Sequence, residues 1–168
     1  PAALLGIDIE ALLGRAVRMA GDCGPAVAPA DNPGLLLGAA LGELALQGRD
    51  KVGILVDPDL RPFELWIEQL LAESTGKEGR GLVPVVETAP GRRSRRAGTT
   101  TAVRGAAFTG RDRVLVRIGR PDAAGLAIEK TAAAQKETPV IYLGLRDRLD
   151  LGAAMLQWEI ATVTAAAA

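Results

Sequence analysis

The sequence predicts an α/β domain in three layers, with helices on both faces of a mostly parallel sheet of about four or five strands. Two observations carry that prediction. Apolar runs at 51–56 (KVGILV), 82–86, 113–118 and 139–143 are separated by segments long enough for helices. Unbroken apolar runs of this length mark strands covered on both faces, whereas strands with one wet face alternate. The intervening segment 62–74 places Phe63, Trp66, Ile67, Leu70 and Leu71 at the i, i+3, i+4, i+7, i+8 spacing of a helix stripe. Crossovers in such a sheet are right-handed, and its ligands are expected beyond the carboxyl ends of the strands.

The remaining elements follow in order. Residues 7–19 repeat Ile9, Leu12, Leu13, Ala16 and Val17 at helical spacing, with Asp8 placed to cap them. Pro25 and Pro29 break the chain. Asn32 is a favoured N-cap and Pro33 suits a first helical position, so a second helix opens there and runs to Gln47. It is apolar on nearly every face, which predicts deep burial. Its Gly34, Gly38 and Gly42 recur every four residues and predict close helix packing. They are no nucleotide fingerprint, because no strand precedes them. Gly76 ends the helix over 62–74. Pro121 opens an Ala-rich helix over 121–136, and a last helix spans 149–164 with Asp147 or Asp150 as its cap. Trp66 and Trp158 fall on helix faces as core or domain-interface residues.

Composition excludes several functions. The 168 residues are 48% hydrophobic but only 3% aromatic, so the core must be built from Ala, Val, Leu and Ile. Lys plus Arg and Asp plus Glu both number 20, which argues against a polyanion binder. The Arg-rich loop 91–113 holds Arg92, Arg93, Arg95, Arg96 and Arg104 without interleaved aromatics, and reads as a solvated loop rather than a nucleic-acid patch. Cys23 is the single cysteine and cannot form an internal disulfide. No run approaches the ~18–20 apolar residues of a membrane helix, and residues 1–5 lack a basic start. The expectation is a soluble, cytoplasmic chain cut from a longer one. There is no His, and no clustered metal-ligand pattern; neither metal nor cofactor is expected.

The segment 69–84, QLLAESTGKEGRGLVP, is the informative one. A helix ends in a carboxylate, Glu73, and a Gly-containing polar turn leads into a strand. Gln69 lies four residues earlier, one turn away on the same face. At about 100° per residue, Glu73 falls near the edge of the buried stripe. A carboxylate there can be partly desolvated and still reach a cleft, the setting of a general base. The plainer alternative is a solvated surface charge beside Lys77 at the unfavourable end of the helix dipole.

Three stretches resemble phosphoglucose isomerases: 32–51 (NPGLLLGAALGELALQGRDK), 65–85 (LWIEQLLAESTGKEGRGLVPV) and 150–162 (DLGAAMLQWEIAT). AESTGKEG is the most specific. The likeness is greatest to the short bacterial type fused behind a transaldolase. It implies a sugar isomerase (SIS) domain over 32–168, the C-terminal half of a parent enzyme, with 1–31 as a helix and linker from the preceding domain. It implies interconversion of glucose 6-phosphate and fructose 6-phosphate through a cis-enediol, without metal or redox cofactor. The base of the family's ES-x-GK motif falls on Glu73, and its substrate-lining Gln on Gln69. Lys77 is a further candidate for holding an anionic intermediate.

The family also uses a His and a C-terminal Lys from other segments, and a Ser/Thr phosphate loop in the preceding SIS domain. This chain has no His, and Thr99, Thr100 and Thr101 are not placed between a strand and a helix start. The partners implied are the sugar phosphate, the missing N-terminal SIS domain and, for the full enzyme, further copies in a homo-oligomer; no nucleic acid or membrane is implied. The chain alone is expected to be inactive. The alternative is a regulatory SIS domain that binds a sugar phosphate without catalysis.

Overall fold

The computed structural model describes residues 6–76, 79, 81–86, 110–120 and 138–167. These form α1 (Ile9–Asp22), α2 (Pro33–Leu46), β1 (Lys51–Val56), α3 (Pro62–Ser74), β2 (Val83–Val86), β3 (Arg113–Gly119), β4 (Val140–Gly144) and α4 (Leu151–Ala166). The strands make one sheet in the order β2-β1-β3-β4. Every pairing is parallel, with Lys51 opposite both Val83 and Arg113, and Val116 opposite Ile141. The chain moves one way from β1 to β2 and the other way from β3 to β4, so the topological switch lies between β1 and β3.

The strand runs are mostly apolar because both sheet faces are covered. On one face Val52, Ile54, Val56, Val114, Val116 and Ile118 are buried against Leu37 and Leu41 of α2, Ile67 and Leu71 of α3, and Trp158 and Ala161 of α4. On the other, Leu55 and Leu115 are buried with Val140 against them. That is the predicted three-layer α/β/α arrangement. Trp158 is fully buried, and Trp66 stacks on Phe63 with ring centroids 5.5 Å apart.

Glycine lets α2 and α4 approach closely. A Cβ on Gly38 would lie 2.4 Å from the Ala161 carbonyl oxygen and 2.5 Å from Thr164 Cβ. One on Gly34 would lie 2.6 Å from Ile160 Cγ2. Gly34 and Gly38 therefore serve helix packing, as the sequence predicts.

The predicted caps form, since each satisfies an amide without an intrahelical partner. Asp8 Oδ1 accepts from the Ala11 amide at 2.9 Å, and Asn32 Oδ1 from the Leu35 amide at 3.0 Å. The last helix differs from the predicted 149–164. Asp147 Oδ1 accepts from the Leu149 amide at 2.8 Å and caps a short 3₁₀ turn, Arg148–Asp150. Asp150 makes no capping bond to α4; its Oδ2 instead accepts from the Arg146 amide at 2.7 Å. α1 lies against α4, where Arg15 donates to Asp147 at 2.6 and 2.8 Å and to Asp150 at 2.8 Å. Arg146 above all, together with Arg15, holds the Asp150 carboxyl well below the usual carboxylate range despite its burial. The predicted helix 121–136, Arg92 to Arg96 and Thr99 to Thr101 lie outside the described residues.

Candidate active site

Glu73 and Gln69 come together as their spacing requires. They sit one turn apart near the end of α3, and Gln69 Nε2 donates to Glu73 Oε1 at 3.0 Å. Leu65, a further turn back, is 57% exposed. Leu65, Gln69 and Glu73 thus form one outward stripe, four residues apart along the helix. Glu73 is exposed, not tucked into the edge of the seam. The inward positions are Phe63, Ile67 and Leu71, a narrow stripe that leaves residue 73 to solvent. Lys77 and Arg80 lie outside the described residues.

The site is on the unexpected edge of the sheet. α3 leaves the carboxyl end of β1 and returns to the amino end of β2, so its last turn lies at the strands' amino ends. Thr75 fixes that return. Its amide and hydroxyl both donate to the Leu71 carbonyl oxygen, at 3.0 and 2.7 Å, and its hydroxyl accepts from the Leu82 amide at 3.1 Å. Gly76 has φ +85°, and a Cβ on Gly81 would lie 2.2 Å from the Gly76 nitrogen. The two ends of the turn touch backbone to backbone, which only glycine permits.

At the carboxyl edge, where the ligand was expected, the switch point between β1 and β3 holds a buried charge pair. Asp57 follows β1 and is 1% exposed; Arg117 of β3 is 4% exposed. Arg117 Nη2 donates to Asp57 Oδ1. The Arg120 amide donates to Asp57 Oδ2 at 2.9 Å, and its Nε at 3.3 Å. Burial pushes the Asp57 carboxyl up, but the Arg120 amide and the two guanidinium groups outweigh it and hold it below its ordinary value. A Cβ on Gly119 would lie 2.3 Å from Asp57 Oδ1, so the close approach of the strand end requires glycine. Outside this pair, Asp59 accepts from Arg120 and Arg148, both at 2.9 Å.

Nearby, Glu64 is buried on the first turn of α3 and accepts from the Val56 amide at 3.2 Å; burial pushes its carboxyl up. The sequence reading did not single out these residues. One signal was present: Arg117 interrupts an otherwise apolar strand, and a charge there needs a buried partner.

A cleft of about 300 Å³ opens at the end of β4, lined by Tyr142, Arg146, Asp150 and Gln157 among others. Its polar groups are engaged within the chain: the Tyr142 hydroxyl donates to the Gly119 carbonyl oxygen at 2.8 Å, and Gln157 Nε2 to that of Pro33 at 3.1 Å. Lying at the carboxyl end of the sheet, it is remote from Glu73. Among the described residues no three His, Cys, Asp or Glu side chains gather as a metal site, and no helix is long and apolar enough to cross a membrane.

No protein-family model matches the chain. A probable glucose-6-phosphate isomerase from Haloarcula marismortui is 39% identical over 85 residues, 50% of this chain and 19% of that protein. Glucose-6-phosphate isomerases from Parabacteroides distasonis and Rubrobacter xylanophilus are 37% and 39% identical over 86 and 87 residues, again 50% of this chain and 19% of theirs. Over half its length the chain is related to glucose-6-phosphate isomerases. The match spans about a fifth of these relatives.

Proposed function

We propose that this chain is the C-terminal SIS domain of a glucose-6-phosphate isomerase, and that Glu73 is the base of an aldose–ketose isomerisation. The observation that carries the reading is the Gln69–Glu73 hydrogen bond on the exposed end of α3, in a sequence related to these isomerases over half its length. In the forward direction the Glu73 carboxylate removes the proton on C2 of the open-chain aldose phosphate while the C1 carbonyl oxygen gains a proton. The cis-enediol results. The same carboxyl then delivers its proton to C1 as the C2 hydroxyl loses its proton, and the ketose forms. Gln69, holding one carboxylate oxygen, leaves the other to face the sugar. Lys77 follows in the turn as the candidate partner of the intermediate's charge.

The exposed Leu65–Gln69–Glu73 stripe supports the reading of a half-site, covered in the complete enzyme by a preceding phosphate-binding SIS domain. The boundary near residue 32, a transaldolase ahead of that domain, a homo-oligomeric assembly and a cytoplasmic location belong to the same proposal.

The test is Glu73→Gln in the complete enzyme. The amide keeps the shape but cannot take the proton, so kcat falls by about 10²–10⁴-fold while fructose 6-phosphate binding is kept. Gln69→Ala gives a smaller loss. Turnover within a few-fold of the unmodified enzyme removes Glu73 from the mechanism. Binding with no isomerase activity in the unmodified parent favours the regulatory domain instead.

A further inference from the structure

We infer that Thr75 is a positioning residue for Glu73; the inference rests on the proposal that Glu73 is the base. Among the described residues, Gln69, itself exposed and on the same helix, is the side chain that holds the Glu73 carboxylate. Its aim is set by the backbone of the last turn of α3, and helix ends fray unless tied.

Thr75 supplies the tie, two residues beyond Glu73. It is 8% exposed, although it stands at the C-cap of α3. A Thr hydroxyl has one proton to give and lone pairs to accept with. The proton goes to the Leu71 carbonyl oxygen at 2.7 Å, and a lone pair takes the Leu82 amide at 3.1 Å. One hydroxyl therefore joins the last turn of α3 to the residue that opens β2. Beside that stitch Gly76 and Gly81 approach backbone to backbone, a Gly81 Cβ lying 2.2 Å from the Gly76 nitrogen. The last turn, with Glu73 on it, is anchored to the rigid sheet. Misplacing a catalytic group by about 1 Å can cost 10²-fold in rate.

The experiment compares Thr75→Val, Thr75→Ser and Glu73→Gln in the complete enzyme, with kcat and KM for fructose 6-phosphate measured separately. Val keeps the branched shape and removes the hydroxyl. Thr75→Val is expected to lower kcat by about 10–10²-fold with KM within about twofold, and Thr75→Ser to restore kcat to within a few-fold. A general loosening of the domain would move KM as well, and Ser would not rescue kcat alone. If Glu73→Gln is inactive while Thr75→Val keeps its kcat, the positioning role is wrong and the base assignment stands. If Glu73→Gln is active, both fail. Where Thr75→Val does not fold, Thr75→Ser decides: a tenfold loss of kcat with the hydroxyl present overturns the inference, and retention supports it.

Discussion

Replacing Asp57 by Asn should be among the most damaging single changes in the domain, although Asp57 lies at the opposite end of the sheet from Glu73. The carboxylate is 1% exposed and its partner Arg117 4% exposed. Removing one charge of a buried, hydrogen-bonded pair typically costs about 3–5 kcal/mol. For a domain of this size, about 2–4 °C in Tm accompanies each kcal/mol, so Tm should fall by about 6–20 °C. Asp59→Asn is the control. Asp59 is 23% exposed and pairs with Arg120 and Arg148, which are 48% and 70% exposed; pairs of that kind are worth about 0–1 kcal/mol.

The pH dependence follows in sign. The native Asp57 pKa lies below its ordinary value, so the stabilisation is complete above about pH 4 and is lost as pH falls through the native value. The acid limb of the stability curve should flatten in Asp57→Asn. Urea unfolding followed by circular dichroism between pH 2 and pH 7 (about the span of carboxylate titration) measures both effects. Equal losses in Asp57→Asn and Asp59→Asn would refute the reasoning.

Two further outcomes are expected. Gly38→Ala should destabilise by about 1–3 kcal/mol through overpacking against α4, whereas Gly14→Ala, whose Cβ would meet only Arg18 Nη1 at 3.8 Å, should stabilise by up to about 1 kcal/mol through helix propensity; thermal unfolding separates them by sign. The purified 168-residue chain, folded by circular dichroism, should turn over fructose 6-phosphate in a coupled assay far below the ordinary enzyme range of about 1–10³ per second.

Most of the fold was legible because its signals are local. The stripe from Phe63 to Leu71 and the caps Asp8 and Asn32 act within a turn or two of sequence, and the strand runs report burial on both faces. The end of the chain was read less well. Asp147 and Asp150 are equally good caps by type; the Arg146 amide and guanidinium take both Asp150 oxygens, and the capping bond falls to Asp147. The pairing of Gln69 with Glu73 was legible from spacing. The exposure of Glu73 was not, since it depends on how narrow the buried stripe of α3 turns out to be. The Asp57–Arg117 pair joins residues 60 apart in sequence, a separation no periodicity reveals.

The two edges of the sheet bear on the half-site reading from opposite directions. In open α/β sheets the switch-point crevice is the ordinary binding place. Here the crevice between β1 and β3 is occupied by the Asp57–Arg117 pair, so a ligand would enter only by separating two buried charges. At the amino edge the reverse holds: Gln69 and Glu73 stand on a convex helix end with exposed Leu65 behind them.

A helix end supplies one wall. Proton abstraction from carbon gains most where water is excluded and the phosphate is anchored, so that remote binding energy holds C1 and C2 over the base. Neither condition is met by one convex wall. If Glu73 is the base, its second wall comes from another domain, and the exposed leucine beside it is part of the surface that domain covers. Isomerase turnover by these residues alone would require the second wall to lie within them, which is why the isolated-chain assay bears directly on the half-site.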